Sequence, residues 1–144
     1  MSLGSAKTRT RHFGTIGVQQ RLFTKAQLAD ATRTSNQRRT TPGQVLVEQG
    51  VVTPDQLRAL ERAITYRIGR EEDKQIAKII VDSNYCEAPR VEAALRKQKE
   101  FYSRSGELMR LGVLLVDDQN LTESQRVAAY KIHSIERQSE SRRP

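Results

Sequence analysis

Aliphatic residues fall in short clusters separated by polar punctuation, and one stretch shows the pattern most fully. Between Thr41 and Leu57, Val45, Leu46 and Val47 form an apolar centre, Gly50 follows, Val51 and Val52 bridge, and Thr53, Pro54, Asp55 and Gln56 come next. The order predicts a short helix, a stop, a two-residue link and a second helix. Gly50 suits the left-handed residue that ends a helix. Thr53 and Gln56 have the spacing of a capping box, Pro54 fits the first helical turn, Asp55 suits its positive end, and Val52 with Leu57 has the spacing of a hydrophobic staple.

The unit recurs. Gly14 to Thr24, Gly43 to Thr53 and Gly112 to Thr122 span equal distances, and each threonine opens a T-x-x-Q ending at Gln27, Gln56 or Gln125. A degraded copy lies between, with Ala77 at the glycine position, Ile79, Ile80 and Val81 at the centre, Asn84 at the stop and Glu87 in place of the threonine. The chain therefore reads as four helix–turn–helix units. In the four units the stop position holds Arg21, Gly50, Asn84 and Gln119.

From the second unit onward the 3.6-residue period predicts helices over 43–49, 54–68, 71–83, 88–104, 107–118 and 123–138. Gly69 is read as a helix stop. No useful strand alternation occurs, so the predicted class is all-α, with short helices packed orthogonally in helix–turn–helix repeats. The organisation expected is a basic disordered arm over 1–12, its first five residues resembling an expression leader. A first helical unit over 13–31, a polar linker over 32–42, a compact helical domain over 43–138 and a disordered tail over 139–144 follow. Such a linker would let the first unit pack on a second copy, giving a homodimer.

The chain has 144 residues, a net charge of +8 and a single cysteine, Cys86. One cysteine excludes an intrachain disulfide and a cysteine-built zinc site. The longest apolar runs are too short to enter or cross a membrane, which makes a cytoplasmic protein the expectation. The charge is uneven, because residues 1–41 hold eight basic residues and one acidic residue. Lys7, Arg9, Arg11, Arg38 and Arg39 are the candidate polyanion contacts, but no stacking aromatics accompany them, and a solvated arm is the preferred explanation of the charge.

Catalytic chemistry is thin. His12 and His133 have no neighbours at metal-ligand spacing and read as solvated. Glu71, Glu72 and Asp73 read as first-turn acids of a helix. There is no phosphate-binding glycine loop. No catalytic, cofactor or metal site is expected, and the chain reads as non-enzymatic.

The run from Gly43 to Leu57 resembles the N-terminal domain of type II secretion and type IV pilus assembly ATPases, the GspE-N-like or MshEN-like helical repeat module. The similarity extends as repeats over most of 12–133. The resemblance implies protein–protein docking in a bacterial secretion, pilus or signalling assembly; the motor's nucleotide motifs are missing from this chain. It also implies an alternative, cyclic di-GMP sensing, whose motif opens with R-L-G. That triplet stands here as Arg110, Leu111 and Gly112, and the first unit carries His12, Phe13 and Gly14 in its place. Those six residues are the candidate nucleotide contacts. Nucleic-acid binding through the basic arm is the third reading.

Overall fold

The computed structural model describes residues 5–141. Its helices are α1 (Ala6–Gln19), α2 (Lys25–Arg38), α3 (Pro42–Glu48), α4 (Pro54–Asp82), α5 (Ala88–Ser105), α6 (Leu111–Asp117) and α7 (Glu123–Ser141). No strand occurs among the described residues, and the fold is all-α. The chain divides into two compact units, Met1–Thr65 and Tyr66–Pro144, with the division inside α4. Unit 1 contains the turns of the first two repeats and unit 2 those of the last two.

The turns of all four repeats have the same backbone. Arg21, Gly50, Asn84 and Gln119 adopt left-handed φ values of 59°, 72°, 59° and 61°. In each repeat this residue donates its N–H to the carbonyl three residues back, at 3.0 Å. The next N–H, of Leu22, Val51, Tyr85 or Asn120, donates to the carbonyl of Gly17, Leu46, Ile80 or Leu115 at 2.9–3.0 Å. That pair of bonds is the Schellman closure of a helix end. Reciprocal capping boxes then join Thr24 to Gln27, Thr53 to Gln56 and Thr122 to Gln125. Glu87, in the degraded copy, makes no side-chain cap bond.

The small residue that opens a repeat leaves room for the following helix. A Cβ on Gly14 would stand 3.0 Å from Leu28, one on Gly43 2.8 Å from Leu57, and one on Gly112 3.0 Å from Arg126 and Tyr130. The first repeat differs at its centre. Leu46, Ile80 and Leu115 are fully buried at a position where the first copy has Gly17. The Phe23 ring fills that space, with Cζ 2.1 Å from where a Gly17 Cβ would be, and it stacks on Phe13 at 5.3 Å between centroids.

Several boundaries differ from the sequence reading. Residues 6–12 are helical rather than a disordered arm. Ser5 caps α1 by accepting from the Thr8 N–H at 3.1 Å, and nothing from Ala6 to Phe13 breaks a helix. Ser5 therefore belongs to the fold, while residues 1–4 of the expected leader lie outside the described residues. The expected linker over 32–42 is mostly helix. Ala31 and Ser35, four residues apart, are buried at 0% and 2% exposure. A stripe of small residues lets α2 approach α3 closely without the aliphatic pattern that marks a core helix. The first repeat thus packs on the second repeat of its own chain.

The expected helices 54–68 and 71–83 are one helix, α4. Gly69 does not end it. Its missing Cβ admits Leu108, whose Cδ2 lies 2.3 Å from the place a Cβ would take. The second helix of repeat two is therefore continuous with the first helix of repeat three. Residues 107–110 are not helical, and α6 starts only at Leu111. The expected tail is helical through Ser141, and residues 142–144 lie outside the described residues.

Each unit has its own apolar centre. Ile16, Phe23, Ala31, Val45, Leu46, Val52, Leu60 and Ile64 are buried in unit 1. Ile76, Ile80, Val91, Ala94, Leu111, Leu115, Leu121 and Ala129 form the core of unit 2.

Candidate functional site

The polar centre of unit 2 is built on Asp73, a fully buried carboxylate on α4. Position 73 shares a stripe with Ile76, Ala77 and Ile80, so helix geometry carries it into the core. Four donor groups converge on it. Gln98 Nε2 of α5 donates to Oδ2 at 2.7 Å, and the Leu111 N–H, the first of α6, donates to Oδ2 at 3.0 Å. Arg110 donates from Nη2 to Oδ1 at 2.7 Å and from Nε to Oδ1 and Oδ2 at 3.1 and 3.2 Å. Arg110 is itself the N-cap residue of α6 and makes no side-chain cap bond, so the cap comes from α4.

The network runs further. Arg110 Nη2 also donates to Glu72 Oε1 at 2.8 Å, and Arg137 Nη1 lies 3.7 Å from Glu72 Oε2. Gln98 Nε2 donates to the Met109 carbonyl at 2.7 Å, while Arg70 donates to Gln98 Oε1 at 3.2 Å and to the Leu95 carbonyl at 2.9 Å. Burial works against the charge on Arg110, but hydrogen bonds and charge from Asp73, then from Glu72, outweigh it and hold its pKa above the ordinary arginine value. Burial, with the Asp73 charge, likewise raises the Tyr130 phenol. Among the described residues no buried side-chain polar atom is left without a partner. Chemically the arrangement is a clasp: one carboxylate ties α4 to α5 and to the start of α6.

The candidate nucleotide residues fall into two groups, one in each unit. Arg110, Leu111 and Gly112 lie in unit 2, where Arg110 is engaged by Asp73 and Glu72, Leu111 is fully buried and Gly112 packs under Arg126 and Tyr130. His12, Phe13 and Gly14 lie on α1 in unit 1, with Phe13 stacked on Phe23 and Gly14 packed against Leu28. Of the candidate polyanion contacts, Lys7 and Arg11 are exposed on α1, and Arg9 donates to Thr65 Oγ1 at 3.2 Å. Arg38 pairs with Glu48 at 2.8 Å, and Arg39 is the left-handed C-cap of α2.

Sequence reasoning misses Asp73, Glu72 and Gln98 as a site. Asp73 and Glu72 read as first-turn acids only if Gly69 is a helix stop. The available signal was a carboxylate in register with Ile76 and Ile80, and a glutamine in register with Val91 and Ala94. His133 is also corrected: it is 6% exposed, with Nε2 2.7 Å from Gln75 Oε1, because it follows buried Ala129 by one turn of α7.

Clefts among the described residues of unit 2 include two of mixed polar lining. One, of about 330 Å³, is lined by Gln75, Lys78, Asp82, His133, Glu136 and Arg137 among others, and the mixed signs favour no single ligand charge. The other, of about 470 Å³, lies beside the third turn and includes Asn84, Tyr85, Cys86, Arg90 and Asn120. Burial raises the Cys86 thiol, which lowers its thiolate fraction. No group of three histidine, cysteine or acidic residues able to hold a metal ion occurs among the described residues. None of their helices is long and apolar enough to cross a membrane.

Among the described residues the exposed large apolar side chains are Val113 on α6 and Val127 and Ile135 on α7, at 42%, 52% and 59% exposure. Compared with family models, curated proteins and solved structures, the chain matches none.

Proposed function

We propose that this chain is a docking module of a bacterial secretion, pilus or signalling assembly, acting in the cytoplasm by binding another protein and not by catalysis. The observation that carries the reading is the outer surface of the fourth repeat. Val113 occupies a position held by Thr15, Gln44 and Lys78 in the other copies, and Val127 one held by Ala29, Arg58 and Glu92. The repeat fold works without a large aliphatic residue at either place. Only the fourth copy exposes large aliphatic side chains there, and Ile135, eight residues after Val127, continues along the same side of α7.

The partner fitting this surface is a helix with an apolar stripe, belonging to another protein, seated against α6 and α7. A photo-crosslinking residue at position 127 tests it in native extract. One heterologous protein trapped from position 127, and none from position 99 on α5, is the expected result. Self-crosslinking alone would make the surface a homodimer contact, and no product would remove the docking role.

Cyclic di-GMP sensing is the competing reading, and it rests on the R-L-G of Arg110, Leu111 and Gly112. Arg110 is held by Asp73 and Glu72, so a nucleotide reaching those donors must displace a carboxylate. A calorimetric titration with saturable heat would put sensing in place of docking.

A further inference from the structure

The charge of the chain is concentrated in unit 1, which has ten basic and four acidic residues, a net +6 of the total +8. Three of its four carboxylates are already taken: Asp30 by Arg33 at 3.2 Å, Glu48 by Arg38 at 2.8 Å, and Asp55 by Arg58. Lys7, Arg11, Arg21, Lys25, Arg39 and Arg62 remain exposed and form no ion pair among the described residues. Lys7 and Arg11 are one turn apart on the same side of α1.

Three of these cations sit where the fold does not favour them. Arg21 and Arg39 are in the left-handed conformation at φ 59° and 54°, and Lys25 is the first residue of α2. Left-handed backbone favours glycine or asparagine, and the first turn of a helix favours acids. The other repeats comply at one or both positions, with Gly50 and Pro54, Asn84 and Ala88, and Gln119 and Glu123. The first repeat alone has a cation at both. Such a departure is expected where a surface serves binding rather than folding.

The same unit indicates the kind of polyanion. Among the described residues the exposed large apolar side chains, Val113, Val127 and Ile135, all lie outside it, so the described part of unit 1 offers no wedge for a bilayer. Phe13 and Phe23 are stacked on each other, and no ring is presented to unpaired bases. We infer that unit 1 binds the phosphate backbone of duplex nucleic acid, without reading sequence, through Lys7, Arg11, Arg21 and Lys25. The docking surface proposed above belongs to unit 2.

Fluorescence anisotropy of the full chain with a labelled duplex of arbitrary sequence tests the inference. About four phosphate contacts make affinity fall roughly 100-fold between about 50 and 200 mM NaCl. The decisive variant combines Arg21→Gly with Lys25→Glu. It should raise the melting temperature, because both changes suit the local backbone, and yet weaken duplex binding about tenfold or more. Arg96→Glu with Lys99→Glu on α5 should leave binding unchanged. The inference is overturned by an absence of binding at the lower salt, by wild-type affinity in the first variant, or by equal loss in the second. It is also overturned if anionic phosphatidylserine vesicles bind the chain and the duplex does not.

Discussion

The carboxylate of Asp73 accepts a hydrogen bond from the Leu111 backbone N–H at 3.0 Å, across 38 residues of chain. A short helix that lacks its own side-chain cap is thereby capped from the middle of α4. The same carboxylate takes two donor nitrogens of Arg110, so the start of α6 is fixed by both backbone and side chain. Removal of Asp73 would leave the part-buried guanidinium of Arg110, the Gln98 amide and the Leu111 N–H without their common acceptor. Asp73→Ala is expected to cost about 3–5 kcal/mol in urea denaturation. A cycle with Arg110→Met should show coupling above about 1 kcal/mol, and additive losses would mean that the two act separately.

The capping boxes give a graded series. Thr53→Ala should lose about 1 kcal/mol, since Gln56 N–H loses its acceptor. Glu87→Thr should gain about 0.5–1 kcal/mol, because Glu87 already has extended N-cap backbone and supplies no side-chain bond. Thermal melts of the two variants check both signs.

Gly17 and Phe23 form a compensating pair. Gly17→Ala would drive a methyl group into the Phe23 ring and should cost about 1–3 kcal/mol. Adding Phe23→Leu should recover part of that loss, since it brings the first repeat toward the Leu115 and Leu121 arrangement of the fourth. A double variant no more stable than Gly17→Ala would contradict the pairing.

Tyr130 sets an alkaline limit. Burial raises its phenol above the ordinary value of 10.0, so the unfolded chain gives up this proton first as pH rises. From about pH 10 upward the unfolded state holds fewer protons than the folded one, and this contribution to stability falls with rising pH. Tyr130→Phe should reduce that fall when urea midpoints are compared on either side of the transition.

The repeats were legible because their punctuation is local. Gly50, Thr53 and Gln56 announce their roles within a few residues, and Arg21, Asn84 and Gln119 follow by alignment to Gly50 despite their side chains. The extent of helix was less legible. Gly69 reads as a stop locally, and only its distant contact with Leu108 shows that it is a gap for packing. Stretch 32–42 reads as a linker because Ala31 and Ser35 bury small side chains that carry no hydropathy signal. Asp73 was obscured by the same break at Gly69, since the register linking it to Ile76 and Ile80 requires a helix already running through Gly69. The partners of Arg110 lie 37 and 38 residues away, at a separation periodicity does not reach.

The docking role is tested most directly by parallel capture from native extract, with wild-type chain and a Val127→Asp, Ile135→Asp variant as baits. Both side chains are exposed, so the variant should keep the wild-type circular dichroism and melting temperature. A docking role requires one heterologous protein retained by the wild type and lost by the variant. Equal retention by two folded baits, or no retained protein on either, would contradict it.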